Sequence, residues 1–360
     1  MDGTRAGALR CPIALVASAS SVAMKKKIWG HQTMTASLSR RRVLLGGAAL
    51  AGAGASGAAF AQTAWPDRPV RLIVGFTAGS ATDVTGRIFA QRFSEAWGQP
   101  VVVENVAGNS GAIGVDRVAK SAPDGYTLMW AASAALTILP SLQRLPFDPM
   151  KDLAPIGIAF TMPSLVVSNR DFAPRTIQEL VAYARANPGK VSYGTPGVGT
   201  PQHIAGEMFC HQAGIKMEHI PYRGANMADV LNGSVQLGIQ NIGAVLPMVR
   251  DGQLRGLGIT TLQRSTNAPE MPTLVEQGFP GFEASSWFGT MAPAGTPQSI
   301  LDRVHTTSRA ILADPAMRQR FGGLGLEIVA GDGEQMRATI TNDIAKWARV
   351  IRDSGIRLQS

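Results

Sequence analysis

From residue 70 onward the chain alternates short apolar runs with longer stretches of helical periodicity. The run VRLIVG at 70–75 predicts a strand, and residues 83–97 place apolar side chains on one face of a helix. Further apolar runs at 101–104, 126–130, 153–160 and 164–168 predict more strands. Strands that alternate with helices predict an α/β unit with a mostly parallel sheet.

A second α/β unit follows from residue 176. Thr176 and Glu179 have the spacing of a capping box, and after a strand at 191–193 Thr200 and Pro201 suit the N-cap and first position of a helix. Strands at 216–220, 235–240 and 254–260 alternate with further helices. The 360 residues are enough for two domains of ordinary size.

Two loops share one design, in which a strand runs through a turn of small residues into a helix. They are residues 77–83 (TAGSATD) and 195–200 (TPGVGT). Free backbone N–H groups and the helix dipole make such places anion sites, and ligands gather at the carboxyl ends of strands in open α/β sheets. Such loops also occur merely to turn and cap, and Asp83 suits either capping or a hydrogen bond to ligand or water.

No catalytic or metal motif stands out. His203 and His211 lie eight residues apart, not at the i, i+4 spacing of a helical zinc pair, and neither a nucleophile elbow nor a phosphate-binding loop is present. We therefore expect no metal, no cofactor and no enzymatic activity. The alternative, an exported hydrolase of small esters or amides, would need Ser133 or Ser80 paired with His203 in a cleft.

The N-terminus indicates export. Residues 1–61 hold eight basic residues and one acid, which leaves 26 basic and 24 acidic residues for the rest, so the net charge of +9 gives little support to nucleic-acid binding. Residues 39–45 (SRRRVLL) resemble a twin-arginine motif, and we expect cleavage after Ala61 and translation from Met34. The uncharged stretch 43–61 would also suit a membrane anchor, although its five glycines favour a cleaved signal.

Seven short motifs, in order, resemble the substrate-binding proteins of tripartite tricarboxylate transporters, the Bordetella uptake gene family. They are WPDRPV at 65–70, DGYTL at 124–128, KDLAPI at 151–156, ANPGK at 186–190, HIPYRG at 219–224, PTLVEQG at 272–278 and APAGTP at 292–297.

The resemblance implies a two-lobed periplasmic binding protein (Venus flytrap) with mostly parallel sheets. Lobe 1 would comprise residues 62–166 and 284–360 and lobe 2 residues 167–283, with strands crossing near Val166–Ser168 and Glu283–Trp287. A small organic carboxylate would bind between the lobes of a periplasmic monomer, for delivery to transporter membrane subunits. A sensor that presents its ligand to a membrane receptor would have the same fold.

The resemblance and the two loops together give the expected ligand-binding residues. In the first loop, Thr77 and Ala78 depart from the family's usual Pro-Gly, and Ala78 narrows the backbone conformations allowed there. The family also more often has a Gly/Ser/Thr-rich loop at 131–134. The expected residues are Thr77, Ala78, Gly79, Ser80, Asp83, Ser133, Gly199, Thr200, His203 and Asn241.

Overall fold

The computed structural model describes residues 65–222 and 227–354, so the predictions about Met34, the arginine motif and Ala61 lie outside the described residues. The strands are β1 (Val70–Val74), β2 (Val101–Asn105), β3 (Thr127–Ala132), β4 (Leu153–Met162), β5 (Ser164–Asn169), β6 (Ser192–Thr195), β7 (Glu218–Pro221), β8 (Leu237–Asn241), β9 (Leu254–Ile259), β10 (Ser286–Pro293) and β11 (Glu327–Ile328).

The helices cover the faces of the sheets. They are α1 (Ala81–Trp97), α2 (Ala112–Ala119), α3 (Ile177–Ala186), α4 (Pro201–Ala213), α5 (Ala228–Leu231), α6 (Ile242–Arg250), α7 (Gln298–Ala313), α8 (Pro315–Gly323) and α9 (Gly333–Ser354). A short π-helix (Ala134–Ile138) and a 3₁₀ turn (Leu139–Ser141) follow β3. Within the described ranges, no helix combines the length and apolar character needed to span a bilayer.

The described strands form two sheets, which we call lobe 1 and lobe 2 together with their helices. The lobe 1 sheet has the order β2-β1-β3-β10-β4-β11, and the lobe 2 sheet has the order β7-β6-β8-β5-β9. The two-lobed α/β fold is therefore confirmed. Both lobes have their own apolar cores; in lobe 1 the rings of Phe89 and Trp130 lie 4.3 Å apart between centroids and are fully buried.

The expectation of mostly parallel sheets needs a correction, because both sheets are mixed. β1 runs parallel to β2 and β3, and β6 runs parallel to β7 and β8. β10 pairs antiparallel with β3 and β4, and β5 pairs antiparallel with β8 and β9. The antiparallel pairings involve β4, β5 and β10, the strands next to the passages between the lobes.

The first passage between the lobes lies earlier than expected. β4 belongs to lobe 1 up to Met162 and β5 to lobe 2 from Ser164, so the chain passes at Pro163 rather than near Val166–Ser168. The second passage leads into β10, since the Ala284 N–H still bonds to Thr260 in lobe 2 and Ser286 begins the lobe 1 strand.

Helix α9 connects the lobes a third time. Its Met336 and Ile340 pack in a lobe 1 core, whereas Trp347 and Ile351 pack against the core of lobe 2. Lys346 Nζ lies 2.9 Å from a carboxylate oxygen of Glu283, just before the second passage. The C-terminal part of α9, which the sequence assigned to lobe 1, thus contributes to the core of lobe 2.

Candidate ligand-binding cleft

A cleft of about 1380 Å³ separates the two lobes. It lies where β1 and β3 of lobe 1 and β6 and β8 of lobe 2 end, which is the place where open α/β sheets bind ligands. The described residues that line it carry no charged side chain. Among the described lining residues, a charge on a ligand would therefore meet only backbone and side-chain dipoles.

Four helices begin at the cleft, two from each lobe. Lining residues include Ser80–Thr82 at the start of α1, Gly111 before α2, Thr200–Gln202 at the start of α4, and Gly243 and Ala244 in α6. The first N–H groups of a helix have no partner within the helix, and the helix dipole is positive at this end. The arrangement favours a ligand with negative charge.

Asp83 holds the loop that leads into α1. Ser80 is the N-cap and accepts a hydrogen bond from Asp83 N, while the buried Asp83 carboxylate accepts one from Gly79 N at 2.9 Å. It also accepts bonds from Asn105 Nδ2 (2.8 Å) and Arg87 Nε (3.0 Å). Burial raises the pKa of this carboxyl, but these bonds outweigh burial and its pKa lies below the usual 3.8. The charged carboxylate therefore holds Gly79 in position without lining the cleft itself.

The loop before α4 is held by a second set of contacts. Thr200 accepts a hydrogen bond from His203 N and donates one to Gly197 O at 2.7 Å. The N–H of Gly199, whose φ is +74°, points to His203 Nδ1 at 3.2 Å. Because Nδ1 accepts this hydrogen bond, the proton of the neutral His203 ring is on Nε2.

His203 lies beneath this loop and does not line the cleft. Its ring stacks on His219 with 4.1 Å between centroids, and His219 Nε2 lies 2.7 Å from Thr195 Oγ1. Burial lowers the pKa of His203 to about 4, and burial together with His203 lowers that of His219 to about 3. Both rings are neutral at physiological pH and act as loop supports.

A polar cluster forms the back of the cleft beside the two crossing strands. Gln202 Nε2 donates to Asn241 Oδ1 at 2.6 Å and to Ser164 Oγ at 3.0 Å, and it lies 3.5 Å from Ser286 Oγ. Ser164 begins β5 and Ser286 begins β10, so this one buried amide joins α4 to both passages. The cluster ties the geometry of the cleft to the hinge.

The lobes touch on two sides of the cleft. Ser110 Oγ of lobe 1 donates to Val198 O of lobe 2 at 2.6 Å. On the other side, Gly243 lies so close to Leu324 that a side-chain Cβ at this position would overlap the Leu324 carbonyl oxygen. Apolar lining residues, Met162, Phe288 and Leu324, belong to the β10-β4-β11 side of lobe 1, whereas small polar loops follow β1, β2 and β3.

Comparison with known proteins then decides the family. The family model of the tripartite tricarboxylate transporter family receptor, TctC, matches residues 85–356. The chain belongs to this family. Protein BugT of Bordetella pertussis is 37% identical over 302 residues, which cover 82% of this chain and 92% of BugT. The resemblance stated from the motifs is confirmed.

Solved structures of similar proteins have the same fold. R. palustris Rpa4515, solved with adipate, is 33% identical with a TM-score of 0.77, and the match covers 81% of this chain and 99% of that protein. The periplasmic binding protein BugD is 32% identical with a TM-score of 0.75, covering 82% of this chain and all of BugD. The TctC family is one of periplasmic solute-binding proteins rather than enzymes.

In this TctC-family chain, most of the expected ligand-binding residues line the cleft. Those that do are Thr77, Ala78, Gly79, Ser80, Ser133, Thr200 and Asn241. Asp83, Gly199 and His203 do not, and their contacts support the loops instead. Sequence reasoning missed Ser110, Gln143, Gln202 and Tyr222. Gln202 directly follows Thr200 and Pro201, the predicted start of the helix, and this position could have indicated that its side chain lies at the cleft.

The groups named for the hydrolase alternative are not paired. Ser80 and Ser133 line the cleft, but Ser80 Oγ is engaged by Asp83 N, and His203 Nδ1 is engaged by Gly199 N. Nor do three or more His, Cys, Asp or Glu side chains gather to hold a metal ion anywhere in the described ranges.

Proposed function

We propose that this chain captures a small organic carboxylate between its two lobes and delivers it to the membrane subunits of a tripartite tricarboxylate-type transporter. The observation that carries the proposal is the convergence of four helix N-termini on a cleft whose described lining is uncharged. Membership of the TctC family and the adipate-bound relative Rpa4515 support it.

The physical argument concerns the charge of the ligand. A carboxylate that leaves water must regain hydrogen bonds, and bonds from N–H or hydroxyl donors to a charged oxygen contribute about 1.5–3 kcal/mol each. Each helix N-terminus adds about 0.3–1 kcal/mol. Thr77 and Ser80, which carry hydroxyl groups, line the cleft beside these N–H groups, whereas the Thr200 hydroxyl already donates to Gly197 O. Several such donors are enough to bind an anion without an ion pair.

Two of the helix N-termini belong to each lobe, so an open form would offer only half of the donors to the ligand at a time. Closure would add the other half. A ligand shifts the open–closed equilibrium only by its difference in affinity for the two states, and this division of donors supplies the difference. The closed, loaded form would be the one that the membrane subunits recognise.

The remaining parts of the proposal concern the location and assembly of the protein. Residues 1–61 would act as a twin-arginine signal that is removed after Ala61, which would leave a periplasmic monomer without nucleic-acid partners. Lobe 1 would comprise residues 62–163 and most of 285–360, and lobe 2 the segment between. The nearly balanced charge after residue 61, with 26 basic and 24 acidic residues, supports the absence of nucleic-acid partners.

A thermal-shift screen of residues 62–360 with mono-, di- and tricarboxylates at 1 mM tests the function. A ligand with a Kd of about 1 µM stabilises the folded state by about 4 kcal/mol at that concentration, so melting temperature rises clearly. If no carboxylate raises it, the proposal is refuted.

A matched pair of variants tests the location. Thr200→Ala and Thr176→Ala each remove a helix N-cap, which costs about 1 kcal/mol of stability in both cases. Only Thr200 lines the cleft. We expect Thr200→Ala to weaken carboxylate binding and Thr176→Ala to leave it unchanged. Equal affinities would move the site elsewhere.

A further inference from the structure

Four serine and glutamine side chains in the described part of the chain hold a buried polar atom without a hydrogen-bond partner. They are Ser133 (Oγ), Gln143 (Nε2), Ser168 (Oγ) and Gln240 (both amide atoms). Two of them, Ser133 and Gln143, line the cleft, and the other two do not. A buried donor without a partner costs free energy, and such groups are rare in native proteins. At a cleft, a ligand atom can supply the missing partner.

Ser133 and Gln143 lie at opposite ends of one helical segment. Ser133 directly follows β3, next to the loop after β1, and 98% of its surface is buried. Gln143 follows the π-helix and the 3₁₀ turn. The π-helix and the 3₁₀ turn lie between the two donors, which therefore belong to different parts of the cleft lining.

Gln143 sits where the lobes meet. Its neighbours Leu139 and Leu142 lie within 2.7 and 3.8 Å of the place that a Cβ on Gly199 would occupy, and Ser110 Oγ lies 3.7 Å from the same point. Gly199 belongs to the loop that precedes α4 of lobe 2. A ligand enclosed by this contact would therefore bring its far end to Gln143, while Ser133 lies beside the anion-binding loop of lobe 1.

We propose that Gln143 is a specificity-determining residue, whose side-chain amide donates a hydrogen bond to a second oxygen of the ligand, remote from the carboxylate held near Ser133. The inference rests on the proposed function. It specifies an elongated acid with a hydrogen-bond acceptor at each end. An acid with a purely apolar far end would leave the Gln143 amide without a partner.

The test combines protein variants with pairs of ligands. Gln143→Leu removes the donor, and Gln240→Leu is its matched control, because it also removes an unpartnered buried amide but lies outside the cleft. Ser133→Ala and Ser168→Ala form a second such pair. The ligands are adipate with hexanoate, succinate with butyrate, and terephthalate with benzoate, measured by calorimetric titration. Members of a pair differ in the second carboxylate.

We expect wild type to bind the diacid of at least one pair more tightly than its monoacid. Gln143→Leu should weaken that diacid by about tenfold to a hundredfold, the range for one hydrogen bond to a charged oxygen, and leave the monoacid within about twofold. Ser133→Ala should weaken both members of the pair. Both control variants should bind as wild type does and melt at or above its temperature.

The outcomes that overturn the inference are separate from those that overturn the function. If wild type binds no carboxylate, the proposed function fails and the inference with it. If wild type binds a diacid but Gln143→Leu leaves its affinity unchanged, or weakens diacid and monoacid equally, the role of Gln143 alone is refuted. Gln143→Met, which preserves the length of the side chain, replaces Gln143→Leu in the same comparison if the leucine variant does not fold.

Discussion

Replacing Asp83 by Asn tests whether the first loop is positioned by a buried charge. The wild-type carboxylate accepts hydrogen bonds from Gly79 N and Asn105 Nδ2, at 2.9 and 2.8 Å. An Asn side chain has one acceptor oxygen, and its NH₂ group would face a donor. The bond from Arg87 counts for little, because 53% of that side chain is exposed and its charge is screened.

The magnitude follows from the two buried bonds. A hydrogen bond to a charged group contributes about 1.5–3 kcal/mol and a neutral one about 1 kcal/mol. In Asp83→Asn one of these two bonds becomes a neutral bond, and the other is lost because the NH₂ group faces a donor. The substitution should therefore lower the free energy of unfolding by about 2–3 kcal/mol. Since the same bonds hold Gly79 at the cleft, carboxylate affinity should fall by about tenfold, equivalent to about 1.4 kcal/mol for reordering the loop.

Glu179→Gln is the matched control. Glu179 repeats the arrangement at the start of α3, where Thr176 accepts from Glu179 N and the Glu179 carboxylate accepts from Arg175 N at 2.7 Å. That helix start is exposed and remote from the cleft lining. Urea unfolding should show a loss of about 1 kcal/mol or less, and calorimetry an unchanged affinity.

The pH dependence supplies the refuting result. Because the folded-state pKa of Asp83 lies below 3.8, its contribution is complete above that pH and is lost as pH falls through the lower, folded-state value. The stability difference between wild type and Asp83→Asn should therefore shrink below pH 3.8. If the variant matches Glu179→Gln in stability and affinity at pH 7, the loop does not depend on the buried charge.

Three other perturbations test the hinge, the histidine pair and export. Gly243→Ala places a methyl group against the Leu324 carbonyl and should hold the lobes apart. In the presence of ligand, solution scattering should then show a larger radius of gyration, and binding should be at least tenfold weaker. An unchanged radius of gyration would contradict the lobe contact. As pH falls from 6.5 towards 4, the free energy of unfolding of the wild type should decrease by about 1.4 kcal/mol per pH unit for each buried neutral histidine. His203→Gln should halve this slope of unfolding free energy against pH, measured by urea unfolding. An unaltered slope would exclude His203 as a contributor. Replacing Arg40, Arg41 and Arg42 by Lys should abolish export, and N-terminal sequencing of exported wild type should begin at Gln62; export of the variant would refute the signal assignment.

Local sequence signals predicted the elements of the fold well. Thr176 and Thr200 are the N-caps of α3 and α4, and Pro201 is the first residue of α4, because capping depends only on neighbouring residues. Strand direction was less accessible, since an apolar run such as β10 reads the same whether its neighbour runs parallel or antiparallel. The short β11 and the π-helix after Ser133 carry no periodic pattern long enough to detect.

The candidate site divides in the same way. Residues 77–80 are consecutive and were found, whereas Ser110 and Gln143 reach the cleft only through long-range packing. His203 shows the limit most clearly. Consecutive residues of a helix point about 100° apart, so when Gln202 faces the hinge, His203 must turn away and stacks on His219 instead. The sequence identified the helix start but not its rotation about the axis.

The absence of charged side chains among the described lining residues also affects the free energy of closing the cleft without a ligand. A buried cation would be left without a partner whenever the lobes closed on nothing, at a cost of several kcal/mol. The hydrogen bonds of Asp83 to Gly79 N and of Thr200 to Gly197 O persist in both the open and the closed state, because each joins residues of one lobe. As far as the described lining residues are concerned, the lobes can therefore meet at Ser110 and Gly243 without burying an unpaired charge, and the ligand need supply only the difference in free energy between the two states.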